Sequence, residues 1–234
     1  MKKNLIIALT FLLALGQINA QESKPMITVA GDGKVKVVPD QVSISVSVET
    51  TGTKAGDVKK ENDSKVDAVL KYIKKMGIAK EDFQTTRVSL NDQYDYEKKK
   101  HNYVAVQSIQ ILIKDLGKYD ELMEGLVESG TNRIENINFK SSKIEVHKSE
   151  ARKLAIQNAK AKAQDYVMAL GDMTLGSAYI IIDNSQDNSP RPRYEMMAMK
   201  MADDAFSGDE TLAVGEIEVT ANLSISFLLW EKIK

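Results

Sequence analysis

Four methionines, Met196, Met197, Met199 and Met201, crowd into one short tract. Thioethers are soft ligands that suit Cu(I), and they oxidise reversibly to sulfoxides. The tract therefore reads as a soft-metal or oxidant buffer. The plainer reading is a flexible adhesive segment or a packing surface in an oligomer, because methionine adapts to irregular surfaces. The plainer reading takes precedence, since no histidine lies nearby to help fix a metal.

The other candidates are sparser. Gly31-Asp32-Gly33 looks like a phosphate-cradling loop, but a nucleotide fingerprint needs a helix opening directly after its glycines. Lys34 to Val38 reads as strand instead, so a bend or β-bulge in the first strand is expected. The two histidines, His101 and His147, have no ligand or triad spacing. Asp92, Asp95 and Glu97 flank Tyr94 and Tyr96, and Lys98, Lys99 and Lys100 compete for those carboxylates, so a solvated hairpin tip outweighs a weak cation site. Arg152, Lys153, Lys160 and Lys162 form a basic helix face diluted by Glu150 and Asp165, which reads as a solvated surface. No GxSxG or HExxH motif occurs. A hydrolase with a dispersed site would need a serine or carboxylate brought near His147 in space. No catalytic, cofactor-binding or metal-ligating residue is assigned, and no cofactor is expected.

These residues need elements to position them. Val42, Ile44, Val46 and Val48 alternate with polar residues, a half-buried strand. Residues 27–30 and 34–38 read as strand before it, with Pro39-Asp40 as the turn. Three helices follow from apolar spacing of three and four. The first covers about 55–76, and the second about 116–129 with Leu122, Leu126 and Val127 inward. The third covers about 148–170, capped by Ser149. Its stripe is Ala151, Ala155, Ala159 and Ala163, then Tyr166 and Leu170. Gly77, Gly130 and Gly171 end the three in turn. Strands are expected near 83–96, 103–114, 133–146 and 174–183, with 93–103 as a charged hairpin tip. From Ile217 to Leu229 a long alternating strand closes the chain, and it could offer an assembly surface.

Over 42–146 this order is βαββαβ, the split βαβ of ferredoxin-like folds. The fold expectation is α+β: that unit, then a helix and two further strands, with the last strand beside the first. Residues 42–146 are expected to form one subdomain, and 22–41 with 147–234 a second α/β subdomain. The polar, proline-bearing tract 184–210 is expected to be a flexible insert.

The chain opens MKKNLIIALTFLLALGQINA, a basic start, a short apolar run and a small residue before Gln21. Residues 1–20 read as a cleaved signal peptide, although Ile18 is not ideal at its position. No later segment is apolar enough to span a membrane. Formal charge is −1, too balanced for nucleic acid to be the main partner. The absence of cysteine excludes disulfides and thiolate chemistry.

The blocks VAGDGKVKVVPDQVSISVSVET, DFQTTRVSL with QYDY after it, EARKLAIQNAKAKAQDYVMALG and GEIEVTANLSISFLL resemble, in order and spacing, the SIMPL-domain family. These are exported bacterial proteins known as oxidative stress defence or periplasmic immunogenic proteins. The resemblance covers residues 26–229 and implies a periplasmic or cell-surface protein without established catalytic activity. It also implies ring- or channel-like homo-oligomers in some members, and a Pro- and Met-bearing insert before the last strand. The functional expectation is an exported, non-catalytic assembly or interaction protein of the cell envelope, linked to oxidative stress tolerance. Its expected partners are further copies of itself, with an envelope protein as a possible second. Its expected location is the periplasm, with the cell surface or medium as alternatives.

Overall fold

The computed structural model describes residues 24–97, 99–185, 191–192, 212 and 214–232. The expected leader and the four clustered methionines lie outside the described residues. The elements are β1 (Met26–Val37), β2 (Gln41–Gly52), α1 (Ala55–Lys75), β3 (Phe83–Asp95), β4 (Lys100–Ile113), α2 (Tyr119–Glu128), β5 (Arg133–Lys140), α3 (Ile144–Leu170), β6 (Met173–Asp183), β7 (Arg191–Pro192) and β8 (Ile217–Glu231). They build an α+β molecule of two antiparallel sheets, as expected.

The first sheet has the order β3-β4-β2-β5. Each neighbouring pair is antiparallel, so the split βαβ arrangement read from the sequence is present. Val42, Ile44, Val46 and Val48 point to one face and are fully buried with Ile109, Ile111 and Ile113 of β4. Against them pack Val66, Val69 and Ile73 of α1 and Leu122 and Leu126 of α2. Asn62 occupies the same stripe without being apolar. Its Nδ2 donates to Val48 O at 2.9 Å, with longer contacts to Thr50 Oγ1 and Ala105 O. Gly77 ends α1 at φ 77°, and Ile78 N–H bonds back to Ile73 O. Gly130 does the same for α2 at φ 118°, with Thr131 N–H on Leu126 O. Both are the Schellman closure that glycine at C′ permits.

The second sheet has the order β1-β8-β6, with β7 also on β8. Val219, Ala221, Leu223, Ile225 and Phe227 of β8 face α3 through its stripe Ala151, Ala155, Ala159 and Ala163. The last strand does lie beside the first, in unbroken register from Met26↔Leu228 to Val37↔Ile217.

Several local expectations are corrected. Val127 is exposed, because α2 turns only Tyr119, Leu122, Gly125 and Leu126 fully inward. On α3, Val167 continues the alanine stripe, while Tyr166 and Leu170 are exposed. Helix α3 begins at Ile144, so Ser149 lies inside it and caps nothing. The strand before it is shorter than its apolar residues imply, because Ser141 and Ser142 turn the chain. Asp40 holds that turn: its carboxylate accepts from Ser142 N at 2.7 Å and from Ser142 Oγ, while Asp40 N–H donates to Lys140 O. The hairpin tip shrinks to residues 96–99, since β3 and β4 stay paired out to Asp95↔Lys100.

Candidate interaction surface

Gly31 and Gly33 sit on the inward face of β1, in mid-strand. The expected bend is absent, because β1 keeps one register with β8 across both glycines. What they provide is close approach. A Cβ on Gly31 would lie 2.1 Å from Ala155 O, and one on Gly33 would lie 2.0 Å from Ala151 O. The glycines of the strand and the alanines of the helix therefore form one contact, with backbone nearly touching backbone.

That proximity lets α3 reach around the open side of β1. Asn158 Oδ1 accepts from Asp32 N–H at 3.2 Å. Lys162 Nζ donates to Ala30 O and to Asp32 Oδ1, each at 3.0 Å. A strand edge offers unpaired backbone groups to any passing chain, and here two side chains of α3 take up two of them, Asp32 N–H and Ala30 O. Lys162 thus has a structural partner, unlike the solvated face expected. Arg152 of the same face lies near Asp183, whose carboxyl is held below its ordinary value first by hydrogen bonds from Ser185, then by that guanidinium.

The opposite edge is β6, and it has no strand beyond it among the described residues. Its residues from Ser177 to Asp183 are all exposed. Pairing with β8 fixes the faces. Ile181 lies opposite buried Ile225 on the helix side, while Ile180 and Ile182 lie opposite Ser226 and Ser224 on the outer side. Tyr179 is 53% exposed, with Lys24 Nζ 5.1 Å from its ring centroid. Trp230, 57% exposed, lies against Gly176, where a Cβ would meet its Nε1 at 2.4 Å. Exposed Met168 and Leu170 continue apolar surface at the end of α3. Between α3 and the start of β6 is a hollow of about 530 Å³, walled by Val167, Met168, Met173 and Leu175, with Gln164, Thr174 and Lys232 as its polar members. No histidine, serine or carboxylate lines it.

The remaining candidates are not brought together. His101 is on β4, and its Nδ1 meets the Asp92 carboxylate at 2.8 Å. Tyr94 packs edge-on against both His101 and Tyr96, at 5.0 Å in each case. This cluster sits at the far end of the β3-β4 hairpin. His147 is near the head of α3, half-buried, and its Nδ1 has no hydrogen-bond partner among the described residues. Among the described residues no three His, Cys, Asp or Glu side chains converge as a metal site. One polar cluster escaped sequence reading: Ser47 and Ser108, 2.9 Å apart, both donate to Glu135 Oε1. Glu135 is the residue skipped where β2 and β5 shift register, so the serines tether a bulge. The only forewarning was the run of serines alternating through β2. No helix among the described residues is long and apolar enough to cross a membrane.

Several known proteins are similar to this chain along most of their length. The uncharacterized protein YggE of Escherichia coli K12 is 26% identical over 231 residues, covering 96% of this chain and 93% of its own. The 26 kDa periplasmic immunogenic protein of Brucella melitensis biotype 1 is 26% identical over 223 residues, covering 92% and 89%. The YggE protein of Edwardsiella ictaluri is 25% identical over 209 residues, covering 88% and 87%. The SIMPL family model, described as a protein of unknown function (DUF541), matches residues 27–227. That match runs from Ile27 near the start of β1 to Phe227 in β8, and the chain belongs to the SIMPL family.

Proposed function

We propose that this protein is exported to the periplasm and acts there, without catalysis, as a homo-oligomeric assembly and interaction protein. The observation that carries the reading is the apolar surface formed by β6 and Trp230, where large side chains stand in solvent on a strand that, among the described residues, is paired on one side only. Contiguous exposed apolar surface of this kind marks protein contacts in soluble chains. Export is supported by the leader-like opening and by the name of the Brucella relative. In this reading 42–146 and 22–41 with 147–234 behave as two subdomains joined at Asp40. A link to oxidative stress tolerance belongs to the same reading, and peroxide survival of a strain lacking the protein checks it.

The deciding measurement is the native mass of residues 21–234 across a concentration series, with and without 184–210. Oligomers in both forms support assembly through the ordered sheet. A mass that stays monomeric at the highest concentration rejects the proposal. Loss of the oligomer on removing 184–210 moves the contact to that tract and its methionines.

A further inference from the structure

The two apolar cores share no residue. Among the described residues, α1 and α2 pack on the first sheet and α3 on the second, and no helix of one packs along the sheet of the other. The chain crosses between them twice. Val38, Pro39 and Asp40 join β1 to β2, and Ser141, Ser142 and Lys143 join β5 to α3. The crossings start side by side, where the β2-β5 ladder ends at Gln41↔Lys140. Asp40 ties one to the other, accepting from Ser142 N at 2.7 Å and from Ser142 Oγ. Leu212, in the tract leading to β8, also spans the two, since it packs against the first core.

We propose that residues 38–40 and 141–143 form a hinge on which the two subdomains swing, with the Asp40 carboxylate and Leu212 as the catches that hold it. This rests on the two-subdomain reading above and names its joint. Motion between domains is expected where no large apolar interface binds them. Hinges are short segments at the ends of elements that absorb the change in torsion, and both crossings fit that description. Two chains crossing side by side resist twisting but permit bending about the line through them. Pro39 fixes its own φ and holds Val38 extended. The bending therefore falls on Asp40 and on the serine turn, whose Ser141 O accepts from Ile144 N–H at 3.2 Å. Exposed Tyr96 at the β3-β4 tip and exposed Trp230 on β8 belong to different subdomains, so the swing changes the angle between those two surfaces.

The chain has no cysteine, so pairs of introduced thiols carry spin labels without background. Ser64→Cys on α1 with Gln157→Cys on α3 measures between subdomains. Ser64→Cys with Glu124→Cys, and Gln157→Cys with Thr220→Cys, measure within each; all four positions are exposed. Labelled full-length chain is diluted in unlabelled chain, so that pulsed electron resonance reads distances within one copy. The distance distribution between subdomains is expected to be several-fold wider than either one within, and Asp40→Ala and Leu212→Ala are each expected to widen it further. A distribution between subdomains as narrow as those within them overturns the hinge, and so does equal breadth within a subdomain, because the motion then lies elsewhere. Breadth that neither substitution changes overturns the two catches. The unaltered backbone decides the hinge even if Asp40→Ala fails to fold, and Ser142→Ala then tests that catch. Hydrogen exchange judges the subdomains separately: Ile73→Val is expected to speed exchange in the first sheet and leave the second protected. If both sheets loosen together, the two-subdomain reading fails; if only the first loosens while the distances are narrow, the hinge alone falls.

Discussion

At the scale of single residues, Gly31 and Gly33 are tightly constrained by the backbone of α3. Gly31→Ala or Gly33→Ala must drive the added methyl into backbone of α3, so either is expected to destabilise by about 1–3 kcal/mol or more. Gly56→Ala in α1 meets nothing within 4 Å and is expected to stabilise by about 0.5 kcal/mol through the unfolded chain. Urea midpoints of the three variants check both signs at once. Asn62→Ala leaves Val48 O without its side-chain donor in a buried site and is expected to cost about 1–3 kcal/mol in the same assay. The sequence showed that Gly31-Asp32-Gly33 was no phosphate loop, but not what it was for. The purpose depends on an alanine stripe more than a hundred residues away, and no local pattern carries that distance.

At the scale of elements, the turn between β1 and β2 is bonded to the turn between β5 and α3 through Asp40 and Ser142. Hydrogen bonds from Ser142, side chain first and backbone second, hold the Asp40 carboxyl below its ordinary range. A depressed folded value means that the stabilisation is present in full above the unfolded carboxyl value, about 4. It is lost as pH falls through the folded value. The difference in thermal midpoint between the native chain and Asp40→Ala is therefore expected to be constant near neutral pH and to shrink below about pH 4. Paired scans across that range measure it. Element type and order were legible because period two and period 3.6 differ plainly in this chain. Boundaries were less so where tertiary bonds set them. Ser149 resembled a cap, yet the helix starts where Asp40 anchors the preceding serines. The apolar residues of β6 read as an ordinary strand, since a sequence does not say which strand will be left at the edge.

At the scale of the molecule, the long last strand, expected as one that could offer an assembly surface, is central in its sheet. Strand β8 runs between β1 and β6, so its backbone is engaged on both sides over much of its length, and among the described residues the open edge belongs to β6. Native mass after Ile181→Lys, set against Lys34→Ile on the β1 side of the sheet, is expected to fall only in the first. The central place of β8 also orders events in time. Strand β1 is made first, yet its partner is the last strand of the chain, about two hundred residues later. A nascent chain stopped before Ile217 would hold every strand of the first sheet while β1 and β6 stood apart with nothing between them. Folding of the second sheet therefore waits for β8 and is closed by long-range contacts of the kind that form slowly. Until then β1 is an unpaired strand, and the chain has every reason to be kept from its neighbours.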